Sequence, residues 1–199
     1  MFAKRIFDLF FTIPGVVLLL PFFGIIGIWI KFDSPGSIFF RQIRVGKRGI
    51  NFQMLKFRTM VADAEKKGKQ ITVGQDERIT RCGKFLRKYK LDELPQLINV
   101  LLGEMSLVGP RPEVPKYVEC YPVDTKNIVL SVPPGMTNFA SLEYQEDEDE
   151  LLAKSNDPEL TYIQEILPVK LNYYVRYVNE RSLYVDFCLI LRTFYYIII

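Results

Sequence analysis

The chain has 199 residues, of which 49% are hydrophobic and 25% charged, and it contains no histidine. This length is typical of a single domain with one substantial core. The absence of histidine excludes Ser-His and Cys-His nucleophile pairs and His-ligated zinc or haem. The three cysteines lie far apart and form no CxxC pattern, so neither a zinc site nor a disulfide framework is predicted, and a reducing, cytosolic setting fits. Any catalysis must therefore use carboxylates, cationic side chains or a bound hard metal.

The net charge of +3 hides a strong segregation of charge along the chain. Residues 31–90 hold 16 basic and 5 acidic side chains, whereas residues 143–199 hold 5 basic and 11 acidic ones. A positive field of this kind favours the phosphate groups of a nucleotide, a nucleic acid or an anionic lipid. No nucleic-acid partner is expected, because an apolar segment near the N-terminus tethers the basic region to a membrane.

The apolar segment covers residues 9–30, which carry no charged side chain. As a straight helix it is just long enough to cross a hydrocarbon core of about 30 Å. It also fits a re-entrant helix that returns to the same side of the membrane, because Pro14 and Pro21 interrupt it and basic residues flank both ends. The residues alone leave a kinked spanning helix and a re-entrant helix open as alternatives.

Residues 37–60 alternate apolar and polar side chains on both sides of a Gly-Lys-Arg-Gly turn, and this pattern predicts a β-hairpin. The strand period of two predicts that Lys56 and Arg58 share one face. They form either a solvated face or a cationic wall for a diphosphate. The polar residues 61–78 predict a loop.

Thr80 is a predicted N-cap for a basic amphipathic helix that ends near Lys90. Arg87 falls near the boundary between the basic and the apolar face of this helix. A helix of this type is usually a solvated or membrane-surface element, so it indicates a phosphate site only weakly.

The segment 91–103 predicts a helix with Asp92 as its N-cap and Gly103 as its C-cap. At such a position Asp92 either caps the helix or, kept ionised beside a bound phosphate, acts as a nucleophile towards phosphorus.

The prolines on both sides of Arg111 hold this residue on a stiff, extended arm, where it either binds phosphate oxygens or is a solvated part of a connector.

Three predictions concern the C-terminal part of the chain. Six acidic residues within 143–150 predict a solvated loop. Asp-Pro-Glu at 157–159 predicts the start of a helix. Residues 183–199 are aromatic and aliphatic but short for a membrane span, and they predict an interfacial or core helix.

Four motifs in this order resemble the bacterial sugar transferase family, the monotopic phosphoglycosyl transferases. They are Lys-Arg-Ile-Phe-Asp at 4–8, Lys-Phe-Arg-Thr-Met at 56–60, Leu-Asp-Glu-Leu-Pro-Gln-Leu at 91–97 and Ser-Leu-Val-Gly-Pro-Arg-Pro-Glu at 106–113. The resemblance covers nearly the whole chain, and the combination of motifs makes it specific. The chain departs from many relatives after Pro-Gly-Met-Thr at 134–137, so no particular sugar is inferred.

The resemblance implies a single α/β catalytic domain associated with a membrane, with a small β-hairpin and amphipathic interfacial helices. It implies a re-entrant membrane helix over residues 1–31, broken at Pro21, and a cytoplasmic catalytic domain over residues 32–199. The implied location is the cytoplasmic face of a bacterial inner membrane. The oligomeric state stays open, with a homodimer among the alternatives.

The implied reaction moves a sugar-1-phosphate from a UDP-sugar to undecaprenyl phosphate and releases UMP, as the first membrane step of surface glycan or glycoconjugate assembly. The family's mechanism implies that Asp92 attacks the β-phosphate and forms a covalent phosphosugar. It also implies Mg²⁺ at Asp92 and the diphosphate, with Glu93 supporting the metal or the nucleophile. The implied phosphate-binding residues are Lys56, Arg58, Arg87 and Arg111.

Two other functions stay open at this point. One is a membrane glycosyltransferase, which would move the sugar alone and release UDP. The other is a non-catalytic adaptor whose basic face binds anionic lipid.

Overall fold

A long apolar helix, α1 (Phe2–Asp33), begins the computed structural model of the chain, which describes residues 2–64 and 76–198. The strands are β1 (Phe39–Val45), β2 (Asn51–Phe57), β3 (Ser106–Val108) and β4 (Gly135–Thr137). The other helices are α2 (Arg81–Lys88), α3 (Gln96–Leu102), α4 (Pro115–Glu119), α5 (Val123–Val129), α6 (Phe139–Glu143), α7 (Gln145–Lys154), α8 (Pro158–Thr161), α9 (Leu167–Glu180) and α10 (Leu183–Ile198). The mixture of helices with a small antiparallel hairpin agrees with the predicted fold class. A second, parallel sheet pairs β3 with β4.

Helix α1 packs along the rest of the protein through one stripe of side chains. Asp8, Thr12, Ile26 and Ile30 are buried on this stripe, while most of the apolar side chains on its other faces are exposed. Among the described residues, α1 is the one helix long and apolar enough to cross a membrane. It is helical through both of its prolines. The re-entrant turn at Pro21 and the domain boundary after residue 31 therefore stay predictions.

Both ends of α1 are attached to neighbouring elements of the same body. Near its start, Arg5 donates to the carbonyl oxygens of Val100 (2.5 Å) and Leu101 (2.7 Å). These carbonyls belong to the last turn of α3, where no helical partner is available. Near its end, the Asp33 carboxylate accepts a hydrogen bond of 3.0 Å from the Cys82 amide in the first turn of α2. α2 and α3 therefore fix the two ends of α1.

The predicted β-hairpin is confirmed, since β1 and β2 pair antiparallel along their full length. Phe52 and Met54 of β2 are buried against Val100 and Met105, which lie on and just after α3. Lys56 follows on the same face of β2, because side chains alternate along a strand. The packing of α3 on β2 thus brings Lys56 to the turn that precedes α3.

The predicted capping residue of α2 is also confirmed. The Thr80 hydroxyl accepts a hydrogen bond of 3.0 Å from the Gly83 amide. Of the loop predicted over 61–78, residues 65–75 lie outside the described part of the chain. The two ends of that segment are joined by a bridge between Met60 and Ile79.

Gly83 lets α2 lie directly against the backbone of Thr59. A Cβ atom at Gly83 would lie 2.0 Å from the Thr59 carbonyl oxygen, a contact that requires the backbone to shift. We therefore expect Gly83→Ala to lower the free energy of unfolding by about 1–3 kcal/mol, the usual cost of overpacking. Thermal melting in detergent measures the loss, and Gly24→Ala is the matched control, because no atom lies within 4 Å of its added Cβ. Equal melting temperatures for the two variants would contradict this expectation.

The prediction that Asp92 is an N-cap is wrong. A 3₁₀ turn covers Leu91–Glu93, and α3 begins only at Gln96, with Pro95 at its N-cap position and no side-chain cap hydrogen bond. Proline lacks an amide hydrogen, so it is tolerated at the very start of a helix but not further inside. α3 therefore begins after Pro95 and not at Asp92. The predicted C-cap is confirmed, since Gly103 adopts the left-handed conformation with φ of 85°.

The acidic segment 143–150 is helical, so the prediction of a solvated loop is wrong. It contains the end of α6 and most of α7. Asn138 caps α6, and Glu146, Asp147 and Glu148 lie in the first turn of α7, where negative charge is favourable. Glu148 also forms an ion pair of 3.1 Å with Lys170 of α9, which packs beside it.

The helix start predicted at Asp157 is confirmed, and the C-terminal tail is helical as predicted, whereas its contact with a membrane interface stays a prediction. The Asp157 carboxylate accepts hydrogen bonds from the amides of Glu159 and Leu160 at the start of α8. The aromatic tail forms α10, which buries Asp186 and Leu189 against the body and exposes many of its other apolar side chains.

Candidate active site

Asp92 lies at the centre of the 3₁₀ turn between α2 and α3. Lys90 turns the chain ahead of it in a left-handed conformation with φ of 55°. Asp92 is only 8% exposed, and it forms no ion pair with any other residue of the described ranges. Burial raises the pKa of the Asp92 carboxyl above its usual value; the charge of Lys56 opposes this increase, Glu93 adds to it and Arg87 opposes it. The result is a buried carboxylate that is surrounded by charges but not neutralised by a direct pair.

The neighbouring Glu93 is held by two cations. Its carboxylate is 2.8 Å from the Lys56 ammonium and 2.6 Å from the Arg111 guanidinium. Burial by itself disfavours the ionised form, but the charges of Arg111 and Lys56 hold the pKa of Glu93 well below its usual range. Glu93 therefore joins a strand residue to a loop residue beside Asp92.

Arg87 approaches the same turn from α2. Its Nε atom donates a hydrogen bond of 2.9 Å to the Thr59 hydroxyl, just after β2. Burial lowers the pKa of Arg87, and the charge of Asp92 is the strongest influence in the opposite direction. The guanidinium is thus aimed by Thr59 and lies within the electrostatic reach of Asp92.

We expect Thr59→Val to weaken the action of Arg87 without removing its charge. Valine keeps the shape of threonine but cannot accept the hydrogen bond, so Arg87 loses its fixed orientation. A loss of about 1 kcal/mol in transition-state stabilisation corresponds to a roughly fivefold lower kcat/KM in the transfer reaction that the resemblance implies. Thr59→Ser, which keeps the hydroxyl, should retain the wild-type kcat/KM. A loss in Thr59→Ser that is absent from Thr59→Val would mean that the methyl group, not the hydroxyl, is required.

Lys56, Arg87 and Arg111 reach Asp92 or Glu93, whereas the side chain of Arg58, also predicted to bind phosphate, makes its contacts elsewhere. Its guanidinium donates to the carbonyl oxygens of Ser34 (2.7 Å), Ile30 (3.4 Å) and Pro35. These carbonyls lie at the end of α1 and just beyond it. β2 ends at Phe57, so the strand alternation that predicted a common face for Lys56 and Arg58 stops before Arg58. In this structure Arg58 fastens α1 to the hairpin, and its role in phosphate binding stays a prediction.

A buried network that the sequence reasoning missed supports Arg111. Glu113, two residues later, accepts a hydrogen bond of 2.7 Å from the Tyr162 hydroxyl and lies 3.5 Å from Arg44 and 3.7 Å from Lys170. Arg44 also donates to the carbonyl oxygen of the proline next to Arg111, at 3.1 Å. Glu113 is part of a motif, but its partners carry no local sequence signal: they lie on β1 (Arg44), on α9 (Lys170) and in the helical segment before α9 (Tyr162).

The side chains around Asp92 fit a metal ion only if oxygen atoms of a substrate complete its coordination. The described residues contain no group of three His, Cys, Asp or Glu side chains that could enclose a metal. Mg²⁺ is usually bound by one or two carboxylates together with phosphate oxygens and water. Asp92 can provide one such carboxylate, whereas the oxygens of Glu93 are already occupied by Lys56 and Arg111.

Fold and site together define a mixed helix and strand protein with a carboxylate and cation cluster at a turn, beside a long apolar helix. Residues 1–199 match the family described as bacterial sugar transferase, and the chain belongs to this family. The family expected from the four motifs is thus confirmed.

Named relatives cover different parts of the chain. It is 46% identical over 116 residues to the putative undecaprenyl-phosphate N-acetylgalactosaminyl 1-phosphate transferase of Bacillus subtilis (strain 168), which covers 58% of this chain and 65% of the relative. It is 33% identical over 196 residues to the UDP-N-acetylgalactosamine-undecaprenyl-phosphate N-acetylgalactosaminephosphotransferase of Aeromonas hydrophila, covering 96% of this chain and 43% of the relative. It is 36% identical over 194 residues to the UDP-glucose:undecaprenyl-phosphate glucose-1-phosphate transferase of Xanthomonas campestris pv. campestris, covering 96% of this chain and 38% of the relative. The chain thus spans between about two fifths and two thirds of the length of these relatives.

Proposed function

We propose that this chain is a transferase that moves a sugar-1-phosphate from a UDP-sugar to undecaprenyl phosphate, the initiating step of surface glycan assembly. The observation that carries the proposal is Asp92, a buried carboxylate with no direct ion pair in the described chain, surrounded by the charges of Lys56 and Arg87. Relatives named for this reaction, with either UDP-N-acetylgalactosamine or UDP-glucose as donor, support it.

The proposed reaction has two displacement steps at one phosphorus atom. In the first, a carboxylate oxygen of Asp92 attacks the β-phosphorus of the UDP-sugar, which is the phosphorus that carries the sugar. A bond forms between Asp92 and this phosphorus, and the bond to the bridging oxygen breaks, so that UMP leaves with the electron pair. In the second step, a phosphate oxygen of undecaprenyl phosphate attacks the same phosphorus and releases Asp92. The product is a polyprenyl diphosphate sugar.

The cations supply what phosphoryl transfer needs most, namely positioning and neutralisation of charge. Lys56 and Arg111 are fixed in place by Glu93, and Arg87 is fixed by Thr59. Each of these cations has further N–H donors beyond the contacts it makes here. Oxygens of the diphosphate can therefore bind to donors whose positions are set before the substrate arrives.

We propose Mg²⁺ as the metal of the site, held by Asp92 and by oxygens of the diphosphate. When bound, it would neutralise charge on the transferred phosphoryl group and on the leaving UMP. Glu93, occupied by two cations, acts in this proposal on the orientation of Lys56 and Arg111 rather than as a metal ligand.

We propose a monotopic topology, with α1 re-entrant and the body at the cytoplasmic face of a bacterial inner membrane. Arg5 near the start of α1 and Asp33 near its end both contact the body of the protein, which supports this topology. If α1 crossed a hydrocarbon core of about 30 Å between these two residues, the body would have to lie on both sides of the membrane. An exposed apolar surface, formed by side chains of α1, α2 and α10, suits contact with lipid. It includes the exposed side chains of Ile6, Phe10, Ile13, Val17, Phe85, Tyr184, Phe187, Leu191 and Phe194.

The released nucleotide tests the proposed reaction. With Mg²⁺ and a panel of UDP-sugars, we expect one donor to give a single stoichiometric burst of UMP without acceptor and sustained release once polyprenyl phosphate is added. A peptide containing residues 91–97 should gain the mass of a sugar phosphate in the burst state. Release of UDP would indicate a glycosyltransferase instead, and an intact donor under all conditions would indicate a non-catalytic adaptor.

Cysteine labelling tests the topology. Cys120 is exposed and Cys188 half-buried, so both are first changed to serine, and Phe2→Cys is then introduced. We expect an impermeant maleimide to label this cysteine in inverted membrane vesicles and not in intact cells, as it should label Asp124→Cys on the body. Labelling of position 2 from the outside, with position 124 labelled from the inside, would establish a spanning helix.

A further inference from the structure

A charged cavity lies away from Asp92. Its volume is about 440 Å³, and it is lined by the start of α1, the start of α10 and the residues that follow α3. Asp92 precedes α3, whereas Gly103 and Met105 beyond its end line this cavity. α3 has seven residues and is therefore about 10 Å long, so the two sites lie at opposite ends of it.

The acidic groups of this cavity are already satisfied. Lys4 lies 2.8 Å from the Asp8 carboxylate and 2.9 Å from that of Asp186. The Ser106 hydroxyl donates to Asp8 at 2.9 Å, and the Tyr177 hydroxyl donates to Asp186 at 2.8 Å. Since Lys4 already occupies the position between the two carboxylates, a cationic ligand is not favoured here.

The remaining charge on the walls is positive. Besides Lys4, the lining includes Arg5, Lys47 and Arg181, against only the two aspartates. The guanidinium of Arg5 is occupied by carbonyl oxygens of α3, but Arg181 is exposed and forms no hydrogen bond or ion pair with the described residues. Burial lowers the pKa of Lys47, and the charges of Arg48 and Arg181 lower it further. An anion beside Arg181 would balance part of the positive charge on these walls.

The cavity opens beside the surface that suits contact with lipid. Leu183 lines it and is partly exposed, and the next residue, Tyr184, is 77% exposed. On the other wall, α1 begins with Phe2, which is 81% exposed. A headgroup in the cavity could therefore keep its acyl chains on apolar surface.

We propose that this cavity binds the phosphate group of an anionic membrane lipid, through Arg181. This site is separate from the one that carries the proposed transfer reaction. The proposal of a lipid site rests on the proposed contact of α1 and α10 with lipid. It would hold the start of α1 and α10 at the membrane surface through a specific headgroup, in addition to the general attraction of apolar side chains to lipid.

Lipid binding to the purified protein in a neutral detergent tests this proposal without any UDP-sugar. Native mass spectrometry is used to titrate phosphatidylglycerol, phosphatidylcholine and inorganic phosphate as separate probes. We expect one saturable phosphatidylglycerol site, with affinity at least tenfold above that for phosphatidylcholine. Arg181→Gln should weaken it about tenfold or more, as expected for loss of a charge-assisted contact. Lys84→Gln, an exposed cation on α2 outside the cavity, should leave it unchanged.

Each other result would overturn the proposal. Equal affinity in wild type and Arg181→Gln, or equal loss in Arg181→Gln and Lys84→Gln, would mean that the cavity is not the binding site. Affinity for inorganic phosphate equal to that for phosphatidylglycerol would mean a site for a free anion. Because these measurements need no turnover, the proposal can fail while the transfer reaction stands, and the reverse also holds.

Discussion

Asp92→Asn is expected to abolish transfer, with UMP release at least about 10⁴-fold slower than in the wild type, the scale of loss when a covalent nucleophile is removed. The amide has nearly the same shape as the carboxylate but cannot form the acyl phosphate bond. No sugar phosphate should appear on the peptide containing residues 91–97. Asp124→Asn, an exposed aspartate on α5, is the control and should retain wild-type kcat.

The same variant should be more stable than the wild type at neutral pH. Burial raises the pKa of Asp92, so the folded state disfavours the ionised form more than the unfolded state does. Stability is therefore lost as the pH rises past the pKa of an unfolded aspartate, and asparagine avoids this loss. The melting temperature of Asp92→Asn should exceed that of the wild type at pH 7, and the difference should shrink in acid.

Activity should also fall on the acid side at a higher pH than for an ordinary aspartate, because the nucleophile must be ionised and its pKa is raised. Measuring kcat/KM for the donor against pH checks this direction. A wild-type rate of UMP release by Asp92→Asn would remove Asp92 as nucleophile. Loss of activity together with a lower melting temperature would instead point to a structural role for its charge.

The sequence could predict the parts of the site that depend on neighbouring residues. Asp92 and Glu93 follow one another, and the prolines around Arg111 restrict its backbone whatever the rest of the chain does. Lys56 follows from the strand period, because the hairpin has a clear pattern and a clear turn. The position of Arg58 could not be predicted in this way, because side chains alternate only within a strand and β2 ends at Phe57.

The supporting contacts could not be predicted, because they join residues far apart in the chain. Glu113 pairs with Lys170 across 57 positions of the sequence, and neither residue has a neighbour that signals the other. Charge alone predicts a loop for the acidic segment 143–150. Its helical structure depends on Asn138 as a cap and on Leu152, which is buried in the core behind the acidic face. Charge density describes the exposed face of such a helix and not its buried one.

Glu93→Gln should separate the binding of the donor from the chemistry. The neutral amide keeps the shape of glutamate but leaves Lys56 and Arg111 without their shared counterion. We expect kcat to fall roughly 10–100-fold, since loss of a charge-assisted contact costs about 1.5–3 kcal/mol in orientation of the cations. The KM for the UDP-sugar should not rise, because the freed cations can bind the diphosphate at least as well in the ground state.

The effect of Glu93→Gln on the free energy of unfolding at neutral pH should be opposite in sign to that of Asp92→Asn. The pKa of Glu93 lies well below its usual value, so its ionised form stabilises the fold above the pKa of an unfolded glutamate. This contribution is lost only as the pH falls through the lowered pKa. Glu93→Gln should therefore cost about 2 kcal/mol at pH 7, as for removal of one partner of a partly buried ion pair, and less in strong acid.

Glu119→Gln, at an exposed site on α4, is the control for both measurements. A variant Glu93→Gln with raised KM and unchanged kcat would mean that Glu93 acts in substrate binding. Unchanged kcat and KM with lowered stability would mean that its two ion pairs are only structural. The proposed positioning role requires lower kcat with KM no higher than in the wild type, because the cations would then be present and attractive to phosphate but no longer aligned for the displacement at phosphorus.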